Sequence, residues 1–136
     1  MVTIDTNVAF YALAVDGSKA ARAKDILETA GFLSVQVLNE YAASVRRKLH
    51  RQWEDIEYDL GLLRNSVPNV HPVDNESNRQ AVRIADRYEL SFYDALIVAV
   101  ALANKATVLY SEDMHHGLVI DDTLTIINPF RPTEPS

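Results

Sequence analysis

Short runs of apolar residues alternate along the chain with longer stretches in which apolar residues recur at helical spacing. Four such runs are VTI (2–4), FLSV (32–35), TVLY (107–110) and LTII (124–127), and VHPV (70–73) is a further extended piece. These runs lack a sustained alternation of apolar and polar positions. Strands of that kind are typical of a parallel sheet covered on both faces.

Helices are predicted between these strands. Five apolar stripes at helical spacing predict helices over 8–14, 20–30, 38–49, 53–63 and 81–88. A sixth segment, DALIVAVALA (94–103), is apolar almost all round and is therefore predicted to be the most buried helix. Alternating strands and helices predict an α/β fold, a three-layer α/β/α sandwich with a central, mostly parallel sheet.

The chain is predicted to form one domain followed by a short tail. Its 136 residues are enough to bury a core, and the sequence contains no internal repeat or linker. We place the domain at residues 1–128 and a Pro-rich C-terminal tail at residues 129–136. The segment NPFRPTEPS (128–136) contains three prolines, and we expect it to fray.

Composition excludes several classes of protein. Because there is no cysteine, a disulfide scaffold, a thiolate metal site and a cysteine nucleophile are all excluded. The start, MVTIDTN, lacks the basic and apolar regions of a secretory signal. The longest apolar run, ALIVAVALA (95–103), is shorter than the ~20 residues that span a bilayer. We therefore expect a soluble, cytoplasmic protein with no membrane association.

Charge is unevenly distributed along the chain. The formal net charge is −6, which argues against broad electrostatic binding to nucleic acid. Positive charge is nevertheless concentrated in RRKLHR (46–51). Arg46, Arg47 and Lys48 are either a local phosphate-contacting patch or a solvated helix face.

Acidic residues that are far apart in the sequence are brought towards one edge of the predicted sheet. Asp5 directly follows the first strand, and Glu112 and Asp113 follow the strand TVLY. Asp94 opens the buried helix, and Glu40 lies within the third helix. Ligand sites in open parallel sheets lie beyond the carboxyl ends of the strands, so these carboxylates are candidates for one shared site.

Each acid taken alone also has a structural explanation. Asp5 is a good helix N-cap, Asp94 stands at capping-box spacing from Ser91, and Asp113 can cap a turn. Glu40 is harder to explain, because positions 36, 37, 43 and 44 offer it no basic partner. Carboxylates that share a site without basic partners repel one another, and Mg²⁺ or Mn²⁺ would supply the missing charge.

The histidines are not predicted to form a zinc site. His115 and His116 are adjacent, so on a helix they would point ~100° apart. His50 and His71 stand alone, and no HExxH spacing is present. A histidine at the rim of the acidic site, or a solvated loop, are the remaining interpretations.

Four sequence blocks together resemble the PIN-domain ribonucleases, and most closely the VapC-type toxins of toxin–antitoxin pairs. They are VTIDTNVAFYA (2–12), SVQVLNEYAASVRRK (34–48), LSFYDALIVAVAL (90–102) and VLYSEDMHHG (108–117). The blocks have the order and separations typical of that family, and they span nearly the whole chain. The ordered set is far more specific than any one block.

The resemblance implies a set of site residues. Its four metal-binding acids correspond to Asp5, Glu40, Asp94 and Asp113. Thr6, Asn7 and Ser111 fall at polar positions that hold the carboxylates or bound water. Glu112 remains an alternative to Asp113 if the turn is set differently by one residue.

The resemblance also implies an activity and partners. The activity is Mg²⁺- or Mn²⁺-dependent hydrolysis of RNA by water, leaving a 5′-phosphate and a 3′-hydroxyl. A two-metal site would place its ions ~3.5–4 Å apart. The implied partners are the RNA substrate, a second copy of the chain, and a cognate antitoxin whose C-terminal segment covers the acidic pocket. Tyr11, Trp53 and Tyr58 are candidates for a partner interface, with ordinary half-buried packing as the alternative for Tyr11 and Tyr58.

Two other interpretations compete with this one. A phosphatase of the haloacid-dehalogenase type also places an acid after its first strand, but needs a second Asp where this chain has Asn7. Cleavage of RNA but not of small phosphate esters separates the two. A catalytically silent PIN-fold module that binds RNA or protein is the alternative outside enzymes, although all four acidic positions are occupied.

Overall fold

The computed structural model of the protein describes residues 1–132, in which six strands and six helices follow one another. In chain order they are β1 (Val2–Ile4), α1 (Thr6–Ala12), α2 (Ser18–Thr29), β2 (Leu33–Ser34), α3 (Val35–Leu49), α4 (Trp53–Ser66), β3 (Val70–His71), α5 (Asn75–Tyr88), α6 (Phe92–Ala103), β4 (Val108–Tyr110), β5 (Val119–Ile120) and β6 (Leu124–Ile127).

Four strands form the main sheet, in the order β1–β4–β6–β5. Strands β1, β4 and β6 are parallel, and β5 pairs antiparallel with β6 at the edge. Strands β2 and β3 form a separate parallel pair. A hydrogen bond from the N–H of Gly31 to the C=O of Val2, 2.8 Å long, connects this pair to β1. With helices flanking the sheet, the predicted α/β architecture is confirmed.

Helix α6 forms the centre of the core, as its uniformly apolar sequence predicted. Every residue from Ala95 to Ala101 is buried, and the helix packs most extensively on α5. The side chain of Ser91 caps it by accepting a hydrogen bond from the N–H of Asp94. The polar first turn of α6 therefore carries Asp94 at the end of an otherwise apolar helix.

Several boundaries differ from the predicted ones because of capping. Helix α1 begins at Thr6 and not at Val8, because the carboxylate of Asp5 caps it. Helix α5 begins at Asn75, where Asp74 and Ser77 form a reciprocal capping box. Strand β5 was not predicted, because a two-residue edge strand shows no hydrophobic period.

The part of the predicted tail that the structure describes packs against the domain. The N–H of Asn128 donates to Nδ1 of His116 (2.9 Å), and the ring of Phe130 lies edge-on to Tyr11, with centroids 5.0 Å apart. The last four residues, 133–136, lie outside the described residues. Among residues 1–132, no helix has the length and apolar character that would be needed to cross a membrane.

Candidate active site

The parallel pairing of β1 with β4 places two polar segments side by side. Ile4 pairs with Tyr110 at the end of both strands, so the next residues, Asp5 and Ser111, adjoin one another. The N–H of Asp5 donates to the C=O of Tyr110 (2.9 Å), and the hydroxyl of Ser111 donates to Oδ2 of Asp5 (2.7 Å). The two blocks predicted to meet at this edge are therefore in contact.

Asp5 is the most deeply buried acid of the site, with 3% of its surface exposed. Its Oδ1 accepts the N–H of Thr6 (2.7 Å), and its Oδ2 also accepts the amide of Asn7 (3.3 Å). Burial raises the pKa of Asp5 to about 6, with smaller contributions from the nearby charges of Asp94 and Glu40. The hydrogen bonds from Ser111 and Thr6 oppose this rise in pKa only in part.

Glu40 is half-buried and is held by two neutral donors. The hydroxyl of Thr6 donates to its Oε1 (3.0 Å), and the amide of Gln36, one helical turn earlier, donates to its Oε2 (3.0 Å). Thr6 thus contacts Asp5 through its N–H and Glu40 through its hydroxyl. Helix α3 thus provides Glu40 with a neutral amide partner, and it has no basic residue three or four positions away.

The side chain of Asn7 joins the two ends of the site. Its Nδ2 donates to Asp5 and to Oδ2 of Asp113 (3.1 Å), and its Oδ1 accepts the N–H of Glu112 (3.1 Å). One amide therefore fixes both the buried acid and the loop that follows β4.

Asp94, another of the four predicted acids, lies in the first turn of α6. Its side chain is half-buried, and burial raises its pKa; a hydrogen bond with Ser91 opposes the rise, and the negative charge of Asp113 adds to it. Asp94 and Glu40 both raise the pKa of Asp5, and Asp113 raises that of Asp94, so the pKa values of Asp5 and Asp94 are affected by charges from separate segments.

Glu112 and Asp113 point to different surroundings. The hydroxyl of Tyr11 donates to Oε1 of Glu112 (2.7 Å), and Nζ of Lys19 donates to Oε2 (2.7 Å). Burial opposes ionisation of Glu112, but these two donors outweigh it and lower the pKa of this carboxyl. Asp113 is exposed and contacts Asn7 instead.

The donor chemistry of the site fits Mg²⁺ or Mn²⁺. Within residues 1–132, Asp5, Glu40, Asp94 and Asp113 form no ion pair, and the donors that hold them are uncharged. Uncompensated carboxylates provide the hard oxygen ligands that these cations prefer. In the same part of the chain, no three carboxylate or imidazole groups already surround one point as ligands of one ion. The side chains are gathered without forming a completed coordination shell.

A groove of ≈ 830 Å³ is lined by two of these acids, Glu40 and Asp113. Its lining combines acids, aromatic rings and bases, among them Asn7, Phe10, Tyr11, Glu40, Tyr41, Arg47, Lys48, Tyr93, Glu112 and Asp113.

The predicted basic patch divides into two parts. Arg47 and Lys48 line the groove. The guanidinium of Arg46 instead donates to the C=O of Arg51 (2.9 Å) and lies over the ring of Trp53, 4.8 Å from its centroid. Arg46 is thus engaged in the turn between α3 and α4, and it does not line the groove.

Two residues of the site were not predicted from the sequence. Gln36 had a usable signal, because its position four residues before Glu40 predicts contact on a helix. Lys19 had none, because its contact with Glu112 depends on how α2 packs beside the loop after β4.

Comparison of the sequence with known protein families gives a match over most of the chain. The PIN domain family matches residues 2–117 of the chain. No curated protein sequence matches.

Solved structures with the same fold include toxins and toxin–antitoxin complexes. A toxin–antitoxin complex from Klebsiella pneumoniae has a TM-score of 0.72 at 16% identity, covering 97% of this chain and 100% of the other. VapC20 of Mycobacterium tuberculosis, a toxin that cleaves the sarcin–ricin loop, has a TM-score of 0.67 at 19% identity, covering 83% and 90%. FitAcB from Neisseria gonorrhoeae has a TM-score of 0.67 at 16% identity, covering 97% and 100%. At these identities the likeness concerns the fold.

The raised pKa of Asp5 predicts a pH dependence of stability in the metal-free protein. A carboxyl whose pKa rises from 3.8 to about 6 on folding stabilises the protein when protonated, below pH 4, and this contribution is lost as the pH rises through 6. In EDTA, Asp5→Asn should therefore gain stability relative to wild type between pH 4 and pH 7, by up to about 3 kcal/mol. Urea unfolding at several pH values measures the difference. A difference that does not change with pH would contradict the prediction.

Proposed function

The chain belongs to the PIN domain family, and on this premise we propose that it is a Mg²⁺- or Mn²⁺-dependent endoribonuclease, the toxin of a toxin–antitoxin pair. The observation that carries the proposal is the gathering of four carboxylates from distant segments, held by neutral donors only. A purely structural group of acids would be stabilised by basic partners, since unpaired charges are costly when buried.

In this proposal each side chain has a defined task. Asp5, Glu40, Asp94 and Asp113 hold the cation. When bound, the cation would neutralise the phosphodiester charge and lower the pKa of the attacking water. Thr6, Asn7 and Ser111 orient the carboxylates by donating to them. No side chain acts as a covalent nucleophile, and Glu112 is not a ligand.

RNA is the proposed substrate because the groove presents charges of both signs. Arg47 and Lys48 would contact phosphates from the C-terminal part of α3, while Glu40, on the same helix, and Asp113, in the loop after β4, line the groove as acids. The activity of VapC20 of M. tuberculosis, cleavage of the sarcin–ricin loop, is consistent with an RNA substrate but does not specify the target of this chain.

We also propose an antitoxin and a second copy of the chain as partners. One solved structure of the same fold, from Klebsiella pneumoniae, is a toxin–antitoxin complex. The groove would receive an antitoxin segment whose arginine faces the acids and whose apolar residues cover Phe10 and Tyr93, which are both exposed. Trp53 and Tyr58 are exposed and remain candidates for a partner interface, whereas Tyr11 is engaged with Glu112.

Binding of Mn²⁺ should raise the melting temperature of the wild type. At a concentration about 100-fold above Kd, the rise should be about 5–10 °C. Asp94→Asn should be at least as stable as wild type in EDTA, because it removes an unpaired charge, and should not respond to Mn²⁺. Asp86→Asn, which changes an exposed acid of α5, is the matched control and should respond like wild type. If Asp94→Asn is simply destabilised and wild type ignores Mn²⁺, Asp94 is only a helix cap.

Cleavage of an RNA pool tests the activity itself. Wild type with Mg²⁺ or Mn²⁺ should produce 5′-phosphate ends, whereas p-nitrophenyl phosphate should remain intact. Asp94→Asn should lose more than about 100-fold of the rate, beyond the cost typical of outer-shell changes at metal sites. If wild type binds Mn²⁺ and RNA but cleaves no RNA in the pool, the chain is the silent binding module. Turnover of the small ester would instead favour a phosphatase.

Charge reversal on the groove wall should weaken RNA binding in a salt-dependent way. In the Arg47→Glu/Lys48→Glu variant, the slope of log affinity against log salt should become shallower by about 0.7 for each phosphate that the protein no longer neutralises. Arg64→Glu/Arg79→Glu has the same change in charge at exposed positions outside the groove. Binding of a catalytically inactive form to single-stranded RNA, measured by fluorescence anisotropy, gives both slopes. Equal slopes in the two variants would mean that the patch is only a solvated helix face.

A further inference from the structure

Glu112 is held away from the other acids by two donors from the first part of the chain. Both of its carboxylate oxygens are occupied, one by the hydroxyl of Tyr11 and one by Nζ of Lys19, each at 2.7 Å. Lys19 is itself held by two rings, since its Nζ lies 5.0 Å from the ring centroid of Tyr11 and 5.8 Å from that of Phe130. This arrangement brings α1, α2 and the segment after β6 to the loop after β4.

Asn7 fixes the backbone of the same loop from the other side. Its Oδ1 accepts the N–H of Glu112, and its Nδ2 donates to the carboxylate of Asp113. The two adjacent carboxylates are thus held apart: Glu112 contacts Lys19, and Asp113 faces Asn7 and the charge of Asp94. Without Lys19 and Tyr11, the side chain of Glu112 would lose both of its hydrogen bonds, while its N–H would stay bonded to Asn7.

We propose that Lys19, together with Tyr11, is a positioning residue that determines which of two adjacent acids serves the site: it keeps Glu112 out and thereby leaves Asp113 as the fourth acid. This inference rests on the proposed metal-dependent function. Lys19 would not touch the metal or the RNA, and it would act only through Glu112.

Affinity for a cation alone does not test this role. Removal of the positive charge of Lys19 near an acidic cluster should strengthen cation binding by simple electrostatics, whatever the loop does. We expect instead that, without Lys19, Glu112 and Asp113 contribute to cation binding to a similar extent. The decisive quantity is therefore how strongly each acid affects Mn²⁺ binding with and without Lys19.

The experiment compares Asp113→Asn and Glu112→Gln in two backgrounds, the wild-type chain and Lys19→Met. Free Mn²⁺ is followed by its electron paramagnetic resonance signal, which needs neither RNA nor turnover. In the wild-type background, Asp113→Asn should weaken Mn²⁺ binding at least about 10-fold, the lower end of the range for changes around metal sites. Glu112→Gln should leave it nearly unchanged, with only the small weakening that loss of a nearby negative charge causes. In the Lys19→Met background, the two substitutions should weaken binding to a similar extent.

Three further variants separate positioning from general effects of charge. Lys19→Arg keeps the charge and should retain the wild-type preference for Asp113. Lys105→Met loses the same charge at an exposed position before β4, at the other end of that strand, and should also retain it. Tyr11→Phe removes the other donor to Glu112 without changing the charge and should reduce the preference. It also provides a test if Lys19→Met does not fold.

The outcomes distinguish this proposal from the function on which it rests. If Asp113→Asn remains dominant and Glu112→Gln remains silent in the Lys19→Met background, Lys19 forms only a surface ion pair and the proposal is overturned. If Lys105→Met abolishes the preference as well, the effect is one of general charge and the proposal is likewise overturned. If wild type binds no Mn²⁺ and Asp94→Asn changes nothing, the proposed metal-dependent function itself is wrong.

Discussion

The burial of acidic side chains without a basic partner, at one edge of the sheet, is the constraint that shapes this site, and their mutual repulsion adds to it. Asp5 is buried with no positive partner among the described residues. Its raised pKa reflects the free-energy cost of keeping this carboxylate ionised in the folded protein. Neutral donors limit that cost without removing it, because hydroxyl and amide groups carry no net charge. The site therefore stays receptive to a cation, whereas a lysine or arginine in the same place would have satisfied the acids permanently.

The parallel sheet explains why the acids meet at all. Parallel strands end at the same edge, so the residues after β1 and β4 become neighbours although 106 positions separate Asp5 from Ser111. The α3 and α6 helices, which pack against the core with their apolar residues, bring Glu40 and Asp94 to the same region. Rigid elements thus hold three of the acids, and only Asp113 depends on a loop. That loop is also the place where an additional restraint, the contact of Glu112 with Lys19 and Tyr11, occurs.

Sequence reasoning succeeded where a local pattern carries the information. The uniformly apolar α6 was predicted to be buried, and the segments after β1 and β4, which now meet through Ser111 and Asp5, were predicted to lie at the same edge of an open parallel sheet. It failed for β5, which is too short to show a period, and for the contact of Lys19 with Glu112, which only packing between distant elements creates. It also treated Arg46 as equivalent to Arg47, although neighbours on a helix point in different directions and Arg46 reaches the turn before α4.

Helix capping accounts for the presence of an acid at Asp5 and at Asp94, but it does not account for the acid at Glu40. Asp5 caps α1 and Asp94 lies in the first turn of α6, so a negative charge at either position also stabilises a helix terminus. Glu40 is the sixth residue of α3, beyond its first turn, where a carboxylate gains little from the helix dipole. Its two neutral donors, Thr6 and Gln36, hold it towards the other acids, with no opposite charge to compensate for the repulsion. A structural role alone gives no reason to keep a charge at this position, whereas the proposed cation, shared with Asp5, would give one.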